Sequence, residues 1–498
     1  MEFNEQCKRR KSRQIQTESG IVEGKQLRCN KGAIDVFLGI PFAKPPIGER
    51  RFKKPEAISP WTGVLKCTRY RSRAPQKDFL WERVNLGVGK SEDCLYLNII
   101  TPGWKPQPEF KNGFPVMFYI HGGGFMIDSA VKYHYAKIAR LLVWKDVTVV
   151  TIQYRLGFLG FFTTGDETCP GNFGIWDQIM ALKWVKENIK YFGGDPDRIT
   201  IVGQSAGAVS ADLLSLSPYS RGLFKQVILI GGNAECPWAV IATETVIDYC
   251  YQYARKLGWQ GTDNAEMIAF LRALPASKFG CKLIGNKVLF DTGRLPLTPV
   301  VDGDLFPCSI IELRKQAPTK PSLVGVTEDE GLLFAAIGGL AGDMKDIETG
   351  IRLLTNSTEN REIDVEKVIH QIYINRSDVN LSRRRNIQRA MLSDLTSNYG
   401  TLLYMDKLIE RGETVYMYSL EYINPTHYGL FNLYLPYRKA THGVDLIYLL
   451  DANIFLTTSF KTAIDKQITQ YMTQAVVNFI KYGLVNFSIV FFSFISYL

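Results

Sequence analysis

A serine placed between an apolar strand and a helix constrains this chain more than any other feature. Residues 198–202 (Arg-Ile-Thr-Ile-Val) predict a strand, the turn Gly-Gln-Ser-Ala-Gly at 203–207 follows at once, and the Ala-, Val- and Leu-rich residues 206–216 predict a helix. A G-x-S-x-G turn between strand and helix exposes the serine hydroxyl beside the first N–H groups of the helix. The pattern therefore indicates Ser205 as a nucleophile, and an ordinary glycine-rich turn is the alternative.

A second glycine-rich loop lies upstream of this turn. Residues 114–120 are typical of a buried strand, which runs into His-Gly-Gly-Gly-Phe at 121–125. Consecutive glycines let backbone N–H groups turn towards one point, where they can bind the oxyanion formed in acyl transfer. An HGGG loop followed by G-x-S-x-G is the pairing of lipases and esterases, whereas a flexible hairpin tip is the less specific interpretation.

A serine nucleophile also needs a base, and the base needs an acid that orients it. In α/β-hydrolases the acid and then the histidine follow the serine. Among five histidines, His427 and His442 come late enough, and we favour His442 because the sequence around His427 is typical of a surface turn. The acid is expected after the short strand 323–326. Spacing alone leaves three neighbouring carboxylates open: Glu328, Asp329 and Glu330.

Further motifs occur in the order of one protein family between residues 18 and 483. They are Gly-Ile-Pro-Phe-Ala-Lys-Pro-Pro at 39–46, Ser-Glu-Asp-Cys-Leu-Tyr-Leu-Asn at 91–98, the HGGGF loop, Gly-Asn-Phe-Gly-Ile-Trp-Asp-Gln at 171–178, the serine turn and Asp-Glu-Gly at 329–331. With these motifs the chain resembles the type-B carboxylesterase/cholinesterase family. The resemblance implies the α/β-hydrolase fold, with a mostly parallel central sheet flanked by helices.

The same resemblance implies a serine hydrolase that cleaves carboxylic esters through an acyl-enzyme. It selects Glu330 as the acid and His442 as the base that serve Ser205. The oxyanion hole would consist of three backbone N–H groups: those of Gly123, Gly124 and Ala206.

Two structural pairings are also implied by the resemblance. One is a disulfide between Cys67 and Cys94, and the other is a buried ion pair between Arg155 and Asp177, whose alternative is two solvated surface charges. The resemblance implies no cofactor and no metal. The expected partner is a small-molecule ester substrate.

Three alternative functions follow from relatives of the same fold. A lipase-like enzyme stays open because its lid and acyl pocket depend on loop geometry. A cholinesterase-like enzyme is less favoured, since the neutral Gln204 precedes the serine where cholinesterases have glutamate, and the segment around Trp81 does not match their choline-binding segment. A non-catalytic neuroligin-like adhesion or binding protein is disfavoured because such proteins lose triad residues that this chain retains.

The chain predicts one catalytic domain with two unusual ends. Hydrophobic residues make up 46% and charged residues 22%, which are globular values, and we expect a single α/β-hydrolase domain over 18–483. Residues 1–17 predict a basic, flexible arm. Residues 484–498 form an atypical apolar tail that suggests a strand, a membrane-touching end or an altered gene model. The polar residues 335–410 suit a lid or cap.

Charge and cysteine content bear on partners and compartment. The net charge of +10 is mostly scattered and accompanies no nucleic-acid-binding motif, so we expect no nucleic-acid partner. The fifteen residues of this tail are too few to span a bilayer, so no integral membrane span is expected. The oligomeric state stays open. Residues 1–30 lack an apolar signal segment and the nine cysteines are an odd number, so we expect a cytoplasmic protein, or a secreted or ER-lumenal one if a leader precedes this sequence.

Overall fold

A mixed twelve-stranded sheet forms the centre of the molecule. The computed structural model describes residues 10–78, 86–282, 295–338, 381–433, 435, 438–453, 461–485 and 492–497. The strands, in chain order, are β1 (Arg10–Thr17), β2 (Gly20–Cys29), β3 (Gly32–Pro41), β4 (Val64–Lys66), β5 (Tyr96–Pro102), β6 (Phe114–Ile120), β7 (Thr148–Ile152), β8 (Gly194–Gln204), β9 (Gln226–Ile230), β10 (Ser322–Thr327), β11 (Val415–Leu420) and β12 (Phe492–Tyr497).

The strand order is β1-β2-β3-β5-β7-β6-β8-β9-β10-β11-β12, with β4 beside β2. Strands β7, β6, β8, β9, β10 and β11 run parallel to one another. The pairings from β1 through β5 to β7, and that of β11 with β12, are antiparallel. The α/β-hydrolase fold is confirmed, and the sheet is parallel through its centre but antiparallel at its edges. Short turns join β1 to β2 and β2 to β3, and such turns can connect only antiparallel strands.

Helices flank this sheet. In the described residues they are α1 (Tyr135–Leu141), α2 (Gly157–Phe161), α3 (Phe173–Asn188), α4 (Ala206–Leu216), α5 (Thr243–Lys256), α6 (Asn264–Ala273), α7 (Ile310–Gln316), α8 (Gly331–Gly338), α9 (Leu381–Ser393), α10 (Tyr399–Ile409), α11 (Asp445–Leu449) and α12 (Ala463–Tyr482). A π-helical turn, Asp394–Asn398, connects α9 to α10 without a break. None of the helices in the described ranges is both long and apolar enough to cross a bilayer.

Two hydrophobic cores lie on opposite faces of the sheet, and strand β6 contributes to both. Val116 and Phe118 belong to one core together with residues of α3 and α4, while Met117 and Tyr119 belong to the other together with residues of α1 and α12. Successive side chains of a strand point to opposite faces, so a strand that is apolar throughout must be covered on both sides. This burial explains why residues 114–120 are continuously apolar.

The sheet extends beyond both boundaries expected for the catalytic domain. Residues 10–17 form strand β1, which pairs with β2, rather than a flexible arm, and Ile15 is buried there. In the C-terminal tail, residues 492–497 form β12, which pairs with β11. Of the three interpretations of the tail, the structure shows the strand. Residues 1–9 and 486–491 lie outside the described residues. Both β1 and β12 are thus held by backbone hydrogen bonds to the neighbouring strand at an edge of the sheet.

The segment expected to form a lid is described only in part, since residues 339–380 lie outside the described ranges. Its remaining part includes α9 and the π-helical turn, which pack against α8, and α10, which packs against β11. Ser397 within the turn is fully buried. The π-helical turn of this segment is therefore packed against the rest of the domain.

A buried ion pair joins the chain after β7 to helix α3. The carboxylate of Asp177 accepts hydrogen bonds from Nε and Nη2 of Arg155, at 2.8 and 2.7 Å, and from the Arg155 backbone N–H at 3.0 Å. Nη1 of Arg155 donates to the Lys53 carbonyl at 2.8 Å. Both side chains of the ion pair are buried. The bidentate hydrogen bonding between guanidinium and carboxylate compensates for the loss of water around the two charges.

We predict that Asp177→Ala lowers the free energy of unfolding by about 3–5 kcal/mol, because the Arg155 guanidinium loses its counter-charge inside the protein. Chemical denaturation measures this difference. Asp197→Ala is the control, since Asp197 also contacts a lysine but its side chain is 82% exposed, and its loss should change stability little. Equal stability of the two variants would contradict the prediction.

Candidate active site

Ser205 occupies a strained turn between β8 and α4. Its φ and ψ are 55° and −128°, and its N–H donates to the Ile230 carbonyl at 2.8 Å. A methyl group on Gly203 would lie 2.0 Å from the Gly207 carbonyl oxygen, and one on Gly207 would lie 2.2 Å from that of Ile120. Both positions therefore exclude a side chain, which explains the G-x-S-x-G pattern. The Ser205 residue is 9% exposed, so it is largely enclosed by the protein.

Glu330 and His442 form a short contact beside this turn. Nδ1 of His442 lies 2.5 Å from Oε2 of Glu330, and both side chains are buried. The other carboxylate oxygen, Oε1, accepts hydrogen bonds from the backbone N–H and the hydroxyl of Thr327, at 2.8 and 3.1 Å. Both oxygens of the Glu330 carboxylate thus have hydrogen-bond partners.

Backbone contacts hold the loop of the acid against the loop of the histidine. The Asp329 N–H donates to the Ala440 carbonyl at 2.9 Å, and Asp329 forms an isolated parallel bridge with Thr441. The Thr441 hydroxyl also accepts a hydrogen bond from the Leu333 N–H at 2.8 Å. Asp329 and Thr441 directly precede Glu330 and His442, so these contacts hold the two loops side by side.

The second ring nitrogen of His442 contacts Gln204. Nε2 of the Gln204 amide lies 3.2 Å from Nε2 of the histidine. An amide nitrogen only donates, so this ring nitrogen accepts and the ring proton is on Nδ1, facing Glu330. That tautomer is the one that a general base requires. In the described residues, the hydrogen-bond partner of Nε2 is thus Gln204 rather than the Ser205 hydroxyl.

All three predicted residues lie around the glycines that follow β9. A methyl group on Gly231 would lie 3.1 Å from Cε1 of His442 and 3.4 Å from Oε2 of Glu330. One on Gly232 would lie 3.1 Å from the carbonyl oxygen of Ser205. The structure thus brings serine, acid and histidine together at the carboxyl ends of β8, β9 and β10, where ligand sites of α/β sheets occur.

The glycine loop after β6 approaches the serine from the other side. A methyl group on Gly122 would lie 3.0 Å from Cβ of Ser205. Gly123 and Gly124 have positive φ angles of 97° and 59°, and their N–H groups have no hydrogen-bond partner in the part of the chain that is described. Ala206 is the first residue of α4, so its N–H has no acceptor within the helix. These N–H groups are free to bind an oxyanion.

The acidic neighbours of Glu330 have other partners. Glu328 is paired with Lys439, and its side chain is 31% exposed. Asp329 is buried and paired with Arg389, and burial raises the pKa of Asp329. Glu330 is the one of these three carboxylates that contacts the histidine.

The interpretation of His427 as a surface turn residue is wrong. Its side chain is buried, and Nε2 lies 3.3 Å from Oδ1 of Asp465 in α12. Burial lowers the pKa of His427, and the aspartate opposes this effect. The sequence around it is turn-like because residues 425–433 form 3₁₀ turns. Pro425 and Thr426 are exposed in these turns, whereas the side chain of His427 points inward.

Two contacts of the site were not expected from the sequence. The Ser397 hydroxyl donates to Oε2 of Glu330 at 3.2 Å, and the ring centroid of Phe334 lies 5.1 Å from that of His442. No motif marks Ser397, which lies 67 residues after the acid. Thr327, by contrast, directly precedes the acidic cluster, so its role as a donor could have been inferred from that position.

The disulfide expected from the family resemblance is not formed in the structure. Cys67 and Cys94 are both buried in the same hydrophobic core, and both are free thiols. Burial raises the pKa of Cys67 to about 12. Trp81, which lies between these two cysteines in the sequence, falls outside the described residues. In the described ranges no group of three or more His, Cys, Asp or Glu side chains is arranged to hold a metal ion.

A further buried carboxyl lies close to the acid and the histidine. Asp445, the first residue of α11, accepts hydrogen bonds from the Tyr418 hydroxyl and the Leu446 N–H, both at 3.1 Å. Burial, followed by the charge of Glu330, raises the pKa of Asp445 to about 7, and His442 opposes this shift. The carboxyl is therefore neutral in acidic solution although it is enclosed by the protein.

Comparison with known proteins agrees with this geometry. The profile of the carboxylesterase family matches residues 11–488, nearly the whole chain. The chain belongs to the carboxylesterase family. It is 36% identical to esterase cest-33 of Caenorhabditis elegans, over 95% of this chain and 85% of the relative. It is 33% identical to gut esterase 1 of Caenorhabditis briggsae, over 94% and 84%. With the bile salt-activated lipase of Bos taurus it shares 30% identity, over 95% and 79%.

Membership of this family makes the chain a carboxylic ester hydrolase that acts on small-molecule esters. The expected cytoplasmic location of the carboxylesterase is wrong. The relatives include a gut esterase and a lipase activated by bile salts, and these names point away from the cytoplasm. The expectation relied on the first residues of the sequence and on an odd number of cysteines, neither of which identifies a compartment.

We predict that Asp445→Asn alters how the stability of the carboxylesterase depends on pH. The raised pKa of Asp445 means that the folded protein holds a proton that the unfolded chain releases above about pH 4. This contribution to stability is complete below that pH and is lost as pH rises through about 7. The variant should therefore gain thermal stability relative to the parent between pH 5 and 8, as melting curves across about this range would measure. Glu49→Gln, at a side chain that is 87% exposed, is the control, and parallel curves for all three proteins would contradict the prediction.

Proposed function

We propose that this carboxylesterase hydrolyses its substrates through an acyl-enzyme on Ser205, with His442 as general base and Glu330 as the acid that orients it. The observation that carries the proposal is the 2.5 Å contact between Nδ1 of His442 and Oε2 of Glu330, directly beside the strained turn of Ser205. A buried carboxylate in this position fixes the ring tautomer and stabilises the imidazolium that forms during attack.

The first half of the reaction acylates the serine. His442 exchanges the Gln204 amide for the Ser205 hydroxyl and takes its proton while Oγ attacks the ester carbonyl carbon. The negative charge that develops on the carbonyl oxygen is bound by the N–H groups of Gly123, Gly124 and Ala206. The C–O bond to the alcohol then breaks, and the imidazolium gives its proton to the leaving alkoxide.

The second half regenerates the enzyme by the same route. Water replaces the alcohol, His442 removes one of its protons, and the hydroxide attacks the acyl carbon. The bond to Ser205 Oγ breaks, Oγ regains the proton from the histidine, and the carboxylic acid leaves. The Gln204 amide can again occupy Nε2 of His442 once the serine no longer requires it.

A neutral ester is the substrate class that the site supports best. Gln204 precedes the nucleophile and carries no charge, and the carboxylate of Glu330 is already paired with His442. Neither group provides a free negative charge for a quaternary ammonium. A lipase-like activity is the second candidate, because one relative is named a bile salt-activated lipase. An adhesion protein would not need the complete set of donors and acceptors around Ser205.

We predict that an organophosphate such as diethyl p-nitrophenyl phosphate attaches to Ser205, and that Ser205→Ala loses hydrolysis of p-nitrophenyl acetate by at least roughly 10⁴-fold. Peptide mass mapping locates the adduct. Ser215→Ala is a matched control in helix α4, because the Ser215 hydroxyl donates to the Ala211 carbonyl within the helix. An adduct on another residue of active protein would refute the proposal. Emulsified triglyceride and acetylthiocholine, tested beside the acetate, distinguish the lipase-like and cholinesterase-like alternatives.

We further predict that Glu330→Gln retains the fold and reduces turnover on the order of 10⁴-fold, since the amide no longer stabilises the imidazolium. Glu328→Gln should remain close to the parent, because that side chain is partly exposed and contacts Lys439. Steady-state kinetics on p-nitrophenyl acetate compares the two variants. If the Glu328 variant were inactive and the Glu330 variant active, the assignment of the acid would be wrong.

A further inference from the structure

The acid of the proposed triad has a contact from the segment that the sequence predicts as a lid. The turn Asp394–Asn398 between α9 and α10 is π-helical, and such turns occur frequently at functional sites. Its residue Ser397 is fully buried, and the hydroxyl donates to Oε2 of Glu330 at 3.2 Å. A carboxylate accepts only, so the hydroxyl proton must point at this oxygen.

Two hydrogen bonds fix the position of the chain that directly precedes Ser397. The Trp238 indole N–H donates to the Thr396 carbonyl at 2.6 Å. The Ser393 hydroxyl accepts a hydrogen bond from the Gly331 N–H at 2.8 Å, directly after the acid. These contacts hold the segment that carries Ser397 against Trp238 and against the residue that follows the acid.

The carboxylate oxygen that Ser397 contacts is the one that also faces His442. Oε1 has two donors from Thr327, whereas Oε2 lies between Nδ1 of His442 and the Ser397 hydroxyl. On the side of β9 the nearest position is Gly231, which has no side chain to donate a hydrogen bond. Ser397 therefore supplies the side-chain donor that completes the set around Oε2 in the described residues.

We propose that Ser397 is a positioning residue for ester hydrolysis, which holds Oε2 of Glu330 towards His442 and limits the proton affinity of the pair. The inference rests on the proposed function of the triad. A donor to a carboxylate stabilises its charged form, so the Glu330–His442 pair binds a proton less tightly when Ser397 is present. His442 then remains an unprotonated base down to a lower pH.

Ser397→Ala tests this role through the pH dependence of kcat/KM on p-nitrophenyl acetate. Loss of the donor should move the acid limb of the profile to higher pH by about half a unit, because the pair retains its proton longer. We expect kcat to fall roughly threefold to tenfold and KM to change little, since the hydroxyl contacts the acid and not the substrate. Ser397→Thr, which retains a hydroxyl, should restore the parent profile.

Thr396→Val is the matched control within the same turn. The Thr396 hydroxyl donates to the Leu392 carbonyl at 2.5 Å, so this variant removes a buried hydroxyl without touching the acid, and its acid limb should equal that of the parent. If Ser397→Ala does not fold, Ser397→Cys replaces it, because a thiol is a much weaker donor of similar size and should shift the limb in the same direction.

Two outcomes would overturn the inference: a parent-like profile for Ser397→Ala or its cysteine replacement, or equal losses in the Ser397 and Thr396 variants without a shift of the acid limb. Failure of the proposed function looks different. In that case Ser205→Ala or Glu330→Gln would retain hydrolysis, whatever the Ser397 variants do. If those two variants are inactive and Ser397→Ala matches the parent, the triad stands and the role of Ser397 is refuted.

Discussion

The close approach of backbone at the serine turn is the constraint on which the rest of the site depends. The start of helix α4 lies so close to strands β8 and β6 that neither Gly203 nor Gly207 can carry a side chain. This contact forces Ser205 into a left-handed φ of 55°, a conformation that a non-glycine residue adopts only under constraint from its surroundings. Burial of α4 and of the parallel strands on both faces supplies that constraint. Packing of the hydrophobic core thus determines the direction in which the Ser205 hydroxyl points.

Much of the fold could be predicted because its signals are local. Strand β8, the turn and helix α4 follow one another within 23 residues of sequence, Gly194 to Leu216, and strand β6 is apolar throughout because both faces are covered. The antiparallel edges were less accessible to prediction. In β1 the basic residues dominate the composition, whereas backbone pairing with β2 and the burial of Ile15 decide the structure. The charge content predicted a flexible arm, but hydrogen bonding to β2 at the sheet edge holds these residues in a strand.

The site shows the same division between local and distant information. Ser205, Glu330 and His442 each stand in a motif, so their meeting could be expected from the sequence. Ser397 lies in no motif, because its contact with Glu330 depends on a π-helical turn that lies far along the chain. His427 was misjudged for a related reason: its neighbours Pro425 and Thr426 are exposed as in a surface turn, but His427 itself is buried against Asp465 in α12, a contact that a local pattern cannot reveal.

Environment assigns different states to the carboxyl groups near the histidine. Glu330 has donors on both oxygens, whereas Asp445 is enclosed with a pKa raised to about 7. While Asp445 is neutral, the negative charge that faces the imidazolium is concentrated on Glu330. Above about pH 7 a second buried charge develops nearby, which the Tyr418 hydroxyl and the Leu446 N–H can stabilise only in part. The electrostatic support for His442 therefore changes with pH through a group that the proposed chemistry does not use directly.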